Sequence, residues 1–123
     1  MIKKKRNTEE HDEQVILCKY LDLLKLDYFA VPNGMYLRGT SKLAISIYMR
    51  KMKDEGFKKG VQDLLVFLPN FMLFIEMKNK SGGAVSPEQK YWKDKVNKYS
   101  YAKAVICAGF QDAKTIIDNE LRR

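Results

Sequence analysis

A chain of 123 residues, 46% hydrophobic and 31% charged, can bury one core without disulfide or metal staples, and its composition excludes a disordered chain. Its 23 basic against 15 acidic residues give a formal net charge of +8, which favours polyanionic partners, nucleic acid before an anionic membrane surface. No apolar run approaches the ~18 residues of a membrane-spanning helix, and the basic MIKKKR leads into polar NTEEHDE rather than a signal region, so a cytoplasmic protein is expected.

In chain order, residues 1–8 read as a flexible basic arm ahead of a single domain over 9–123. From Glu9 to about Leu26, Ile16 or Leu17, Tyr20, Leu21 and Leu24 recur at helical spacing. Thr8 is the expected N-cap, and Glu9, Glu10, Asp12 and Glu13 suit the positive end of the helix dipole. Tyr28 to Val31 reads as a short strand closed by Pro32-Asn33-Gly34. A second helix is expected from Ser41 to about Glu55, with Ile45, Tyr48 or Met49, and Met52 turned inward.

Two apolar runs follow, DLLVFL and FMLFIEM, joined at Pro69-Asn70, and both read as strands. After the Ser81-Gly82-Gly83 loop, Ser86 can cap a third helix running to about Tyr99, with Pro87 at its first position and Gln89 completing a capping box. Residues 102–108 form a further strand, and a last helix spans about Gln111 to Leu121. The order α-β-α-β-β-α-β-α predicts an α/β domain built on a mixed central sheet flanked by helices. Cys18 and Cys107, far apart in apolar patterns, suit two buried reduced thiols, and one histidine without a Cys-x-x-Cys argues against structural zinc.

The chemistry gathers in the second and third strands. Residues two apart on a strand share a face, so Glu76 and Lys78 project together while Met77 points to the other side. A tight connection at Pro69-Asn70 would pair residue 68 with 71 and, carried outward, set Asp63 opposite Glu76. Two carboxylates with Cα atoms ~4.5–5.5 Å apart repel unless a cation lies between them. Hard oxygen ligands at that separation suit Mg2+ or Mn2+. The competing reading is a plain Glu76–Lys78 ion pair at a strand end. A three-residue loop would shift the register and separate the acids.

Asp63 followed by Glu76-Met77-Lys78 on the next strand resembles the PD-(D/E)XK nuclease superfamily, and within it the VRR-NUC (virus-type replication-repair nuclease) family. The blocks that carry the resemblance stand in order along nearly the whole chain: Glu10-His11-Asp12-Glu13-Gln14, Gly60-Val61-Gln62-Asp63-Leu64, Ile75-Glu76-Met77-Lys78, and Ser86-Pro87-Glu88-Gln89 with Trp92. Gln62 departs from the family pattern, which usually has proline there.

The resemblance implies a single restriction-endonuclease-like domain that hydrolyses phosphodiester bonds in DNA with Mg2+ or Mn2+. It further implies selectivity for branched, flap or four-way-junction DNA in replication and repair, a homodimer, and a bacterial or phage-infected cell as the setting. Carried onto this chain, Asp63 and Glu76 hold the metal, with Glu10 and the Met77 carbonyl as further ligands, and Lys78 positions a water or offsets charge on the phosphate. Gln14 and Gln89 support the site. Glu13, then Glu9, are alternatives to Glu10. Lys3, Lys4, Lys5, Arg6, Asn33, Lys58 and Lys59 are candidate DNA contacts. Two rival functions remain: a catalytically inactive DNA-binding module of the same fold, and a nuclease acting on RNA.

Overall fold

The computed structural model describes residues 2–31 and 41–123, with side chains from residue 9 onward. Its elements run α1 (Ile2–Leu23), β1 (Tyr28–Ala30), α2 (Lys42–Asp54), β2 (Leu64–Phe67), β3 (Met72–Lys78), α3 (Pro87–Val96), β4 (Ala102–Ala108) and α4 (Phe110–Leu121). This is the expected order. The four strands form one sheet, β1-β2-β3-β4, antiparallel across the first two pairings and parallel between β3 and β4. A hairpin connection makes β2 and β3 antiparallel, whereas the crossover through α3 makes β3 and β4 parallel.

Alternation along β3 divides the domain into two layers. Leu73, Ile75 and Met77 face the main core, where Leu17 and Leu21 of α1, Leu64 and Val66 of β2, Cys107 of β4, and Ala113 and Ile117 of α4 bury them almost completely. Met72, Phe74, Glu76 and Lys78 face the other side, beneath α3. The Asn97 side chain fastens the end of α3 to β4: its amide nitrogen donates to the Ala104 carbonyl (3.1 Å) and its oxygen accepts from the Ala104 amide (2.9 Å). That bond pair ends α3 short of the predicted Tyr99.

Three expectations change. Residues 2–8 continue α1 instead of forming a separate arm, so Thr8 lies inside the helix and is not its N-cap. Lysine, arginine and glutamate are good helix formers, and residues 2–23 contain neither glycine nor proline. The second helix does begin behind a Ser41 cap, which accepts from the Ala44 amide at 3.1 Å, yet none of its residues is buried. Finally, Cys107 is buried as expected, its thiol pushed up to about 12 chiefly by burial, but Cys18 is only half-buried; neither is bonded to the other. The predicted Pro32-Asn33-Gly34 turn lies outside the described residues.

Candidate active site

The β2–β3 turn decides the geometry. Leu68 donates its amide to the Phe71 carbonyl (3.0 Å), closing a two-residue connection at Pro69-Asn70. Neither residue takes a positive φ, so the turn is of an unprimed kind that suits the fixed φ of proline. Phe67 then pairs with Met72 and Leu64 with Ile75. Just beyond the paired residues, the Asp63 amide donates to the Ile75 carbonyl (3.0 Å), which holds Asp63 beside the start of the Glu76-Met77-Lys78 segment. Their carboxyl groups come within hydrogen-bonding reach of each other.

Both acids sit in a poor place for charge. Glu76 is 5% exposed, and its carboxyl is pushed up to about 8, first by burial and then by the negative charge of Asp63; Lys78 pulls the other way. Burial raises Asp63 as well, and the bond its Oδ2 accepts from the Met77 amide (2.9 Å) offsets only part of that. Without a cation the pair therefore holds a proton between its members. A strand residue points its amide and carbonyl to the same neighbour, so the Met77 carbonyl faces the edge where Asp63 sits.

Lys78, 8% exposed, is held by a third element. Its ammonium donates to Gln89 Oε1 (3.0 Å) and lies 3.8 Å from Glu76 Oε2. Gln89 also donates through Nε2 to Glu76 Oε2 (2.9 Å), so one amide bridges the acid and the amine. The same Oε1 accepts from the Ser86 amide (3.0 Å), while Ser86 Oγ accepts from the Gln89 amide (3.1 Å). The capping box and the contact with Glu76 and Lys78 thus share one side chain. Gly60 makes room for this corner: with φ +89°, an added Cβ would lie 2.5 Å from Glu88 Cβ and 2.8 Å from the Gln89 nitrogen.

The two first-helix acids separate. Glu10 is half-buried and faces the pair: its charge adds to the forces raising Glu76, and its Oε2 would be 3.9 Å from a Cβ placed at Gly83. Glu13 is buried and turned elsewhere. Its Oε1 accepts from the Phe110 amide (2.7 Å), capping α4 where the N-cap residue, Gly109, has no side chain to do so. Lys80 lies 3.9 Å from its other oxygen. Gln14 is half-buried one turn beyond Glu10, and Glu9 is exposed. Lys58 and Lys59 are exposed just ahead of Gly60. Asn33 and the side chains of Lys3, Lys4, Lys5 and Arg6 lie outside the described residues.

Two further features line the site. Gly83 sits 3.3 Å, measured from an added Cβ, off the Lys78 stem, leaving an open flank beside the amine. Gln62, at the position that departs from the family pattern, is a buried side chain on the wall of a cleft next to Asp63. The Gly-Gly pair signals the first in the sequence; nothing in a lone glutamine signals the second.

A solved structure titled "VRR_NUC domain protein" matches with a TM-score of 0.66, covering 93% of this chain and 88% of that one at 20% identity. The chain has the VRR_NUC domain fold. No family model and no curated protein matches it. Within that VRR_NUC fold, the donor set can be tested directly. Two largely buried carboxylates face a single nearby ammonium, an excess of negative charge that Glu10 increases. A hard divalent cation would relieve it, and two carboxylates with a carbonyl leave room for the waters that Mg2+ retains. Asp63, Glu76 and the Met77 carbonyl therefore fit such an ion. Among the described residues, no group of three or more His, Cys, Asp or Glu side chains is gathered in place to bind one.

Proposed function

We propose that this protein is a divalent-metal-dependent nuclease that hydrolyses phosphodiester bonds in DNA. The observation that carries it is the facing Asp63–Glu76 pair, too buried and too close to hold two charges unaided, with Lys78 locked beside it. Asp63, Glu76 and the Met77 carbonyl would hold Mg2+ or Mn2+. A cation bound there would polarise the scissile phosphate and make a water more acidic.

Lys78 supplies the fixed positive charge. Anchored by Gln89, its ammonium donates to a non-bridging phosphate oxygen and offsets the negative charge that grows there as water adds to phosphorus and the P–O bond to the leaving strand breaks. Because Gln89 holds Lys78 before substrate arrives, little reorganisation is needed. Glu10, across the open flank at Gly83, orients water at the edge of the pair. Gln89 is a positioning residue.

Selectivity for branched DNA and a homodimeric state accompany this reading as further proposals, resting on the family resemblance. The test is cleavage of linear, flap and four-way-junction DNA with Mg2+, Mn2+ or EDTA, comparing wild type with Lys78→Ala and Asp63→Ala; light scattering reads the oligomeric state. Cleavage is expected with metal and lost in both variants. Cleavage that persists unchanged in both sinks the site assignment. Binding without cleavage under any metal favours the inactive module, and preferential cutting of an RNA strand makes RNA the substrate.

A further inference from the structure

The face of β3 that carries Glu76 and Lys78 does not end at the acids. Two residues back along the same face stands Phe74, and two further back Met72. On α3, Trp92 follows Gln89 by three residues and so lies on nearly the same side of the helix. Between strand and helix opens a cleft of about 420 Å³, with Met72 and Phe74 as its floor and Tyr91, Trp92, Tyr99 and Tyr101 around it. Gln62, the sequence neighbour of Asp63, also lines it.

Its character differs from an ordinary core seam. Tyr91, Tyr99 and Tyr101 are each more than half exposed, although tyrosine has a large apolar ring to hide. Tyr91 meets Trp92 edge-on at 5.4 Å and Tyr99 tilts against Tyr101 at 5.4 Å, so the rings order one another around the cleft. Lys95 stands on the rim with its ammonium 5.5 Å from the Tyr91 ring centre. Lys90, Lys93 and Lys98 surround it in sequence, against Glu88 and Asp94.

We propose that this cleft takes an unpaired nucleobase of the strand being cut, one or two nucleotides from the scissile phosphate. The inference rests on the proposed nuclease reading for its substrate and adds a pocket to it. Aromatic walls with a lysine rim are what a base and its phosphate require: the rings accept any base by stacking, and the ammonium meets the backbone. The volume suits a single small group, lying within the ~300–1,000 Å³ of small-ligand pockets. Continuity fixes the distance. At ~3.3 Å per strand residue, Phe74 lies ~7 Å and Met72 ~13 Å from Glu76 along the sheet. A base seated there must be unstacked, which a nick, flap or junction supplies more readily than intact duplex.

Trp92 is the single tryptophan of the chain, so its fluorescence reports on this cleft alone. A short single-stranded oligodeoxynucleotide is titrated into the protein in EDTA, alongside the same strand made abasic, with a labelled end giving total binding by anisotropy. Saturable quenching by the base-bearing strand and little by the abasic one is expected. Tyr91→Ala and Tyr99→Ala, both exposed, should keep the wild-type urea midpoint and weaken the base-dependent binding about 5- to 100-fold. Equal quenching by both strands, a bound strand that leaves the emission unchanged, or no binding of either overturns the proposal. An emission change that tracks protein concentration without DNA overturns it in favour of a second copy covering the cleft. EDTA separates the two readings: metal-dependent cleavage with no base-dependent quenching removes the pocket alone, while base-dependent quenching with no cleavage under any cation removes the nuclease and leaves the pocket.

Discussion

Glu76→Gln should make the metal-free protein more stable at alkaline pH, although it removes a proposed metal ligand. In the folded chain the Glu76 carboxyl is raised from an ordinary 4.5 to about 8. Between those values the native state binds a proton that the unfolded chain has released, so stability falls as pH rises through that window. At ~1.36 kcal/mol per pKa unit, the interval corresponds to about 5 kcal/mol. Asp63 shares the proton, so the expected difference at pH 9 is about 2–5 kcal/mol in favour of the glutamine variant. At pH 5, where wild-type Glu76 is already protonated when folded, the two proteins should be nearly equal. For a chain of 123 residues, 1 kcal/mol moves Tm by ~4 °C, so thermal melts in EDTA from pH 5 to 9 resolve the effect. Adding Mg2+ should narrow that difference at high pH: wild type gains about 2.7 kcal/mol at a hundredfold excess over Kd, and the variant less. Wild-type and variant curves that run parallel across the whole pH range would refute the reasoning.

Other perturbations separate site from scaffold. Glu10→Gln should cut the cleavage rate about 10- to 100-fold with little change in Tm, as for a group supporting a metal site. Glu13→Ala should do the reverse, costing about 1 kcal/mol through loss of the α4 cap while cleavage survives; activity lost with Glu13 and kept without Glu10 exchanges their assignments. Gly60→Ala should destabilise by more than about 2 kcal/mol in urea, since it adds strain at positive φ to overlap with Glu88; an unchanged midpoint would mean that α3 yields easily. Gln89→Leu should cost about 2–4 kcal/mol and most of the cleavage, because two buried polar side chains, Lys78 and Glu76, lose their hydrogen bonds together; a cost below about 1 kcal/mol would show water replacing the amide.

The sequence carried the hairpin register because its two determinants are local: a two-residue gap between apolar runs and the alternation within them. Proline in that gap argued against a primed turn, and the chain answers with an unprimed one that keeps the count and therefore the facing acids. Where determinants are distant, the reading stopped short. Glu10 and Glu13 both look like dipole-favoured acids of one helix, and only the approach of Gly109 and Phe110, about a hundred residues on, gives Glu13 its work. Charge composition suggested an arm at residues 1–8, while helix propensity without a breaker carries α1 through them. The exposed stripe of α2 defeats periodicity differently: its pattern is amphipathic, yet no residue in it is buried. The aromatic cleft was legible only in part: Tyr91 and Trp92 share one helix, whereas Tyr99 and Tyr101 fall in the connection after α3 and join the same cleft only through the β3–β4 crossover.

One consequence of Gln89 reaches beyond static geometry. Its carbonyl oxygen serves the Ser86 amide and the Lys78 ammonium at once, so the first turn of α3 and the aim of the amine are a single bonded unit. Helix ends are where native proteins open first, long before global unfolding. For the proposed nuclease, fraying in this one turn would therefore act as an idle state, releasing Lys78 while Asp63 and Glu76 stay on the hairpin. Warming, or a ligand that grips α3, would then tune turnover through the population of one helical turn, with the sheet beneath it undisturbed.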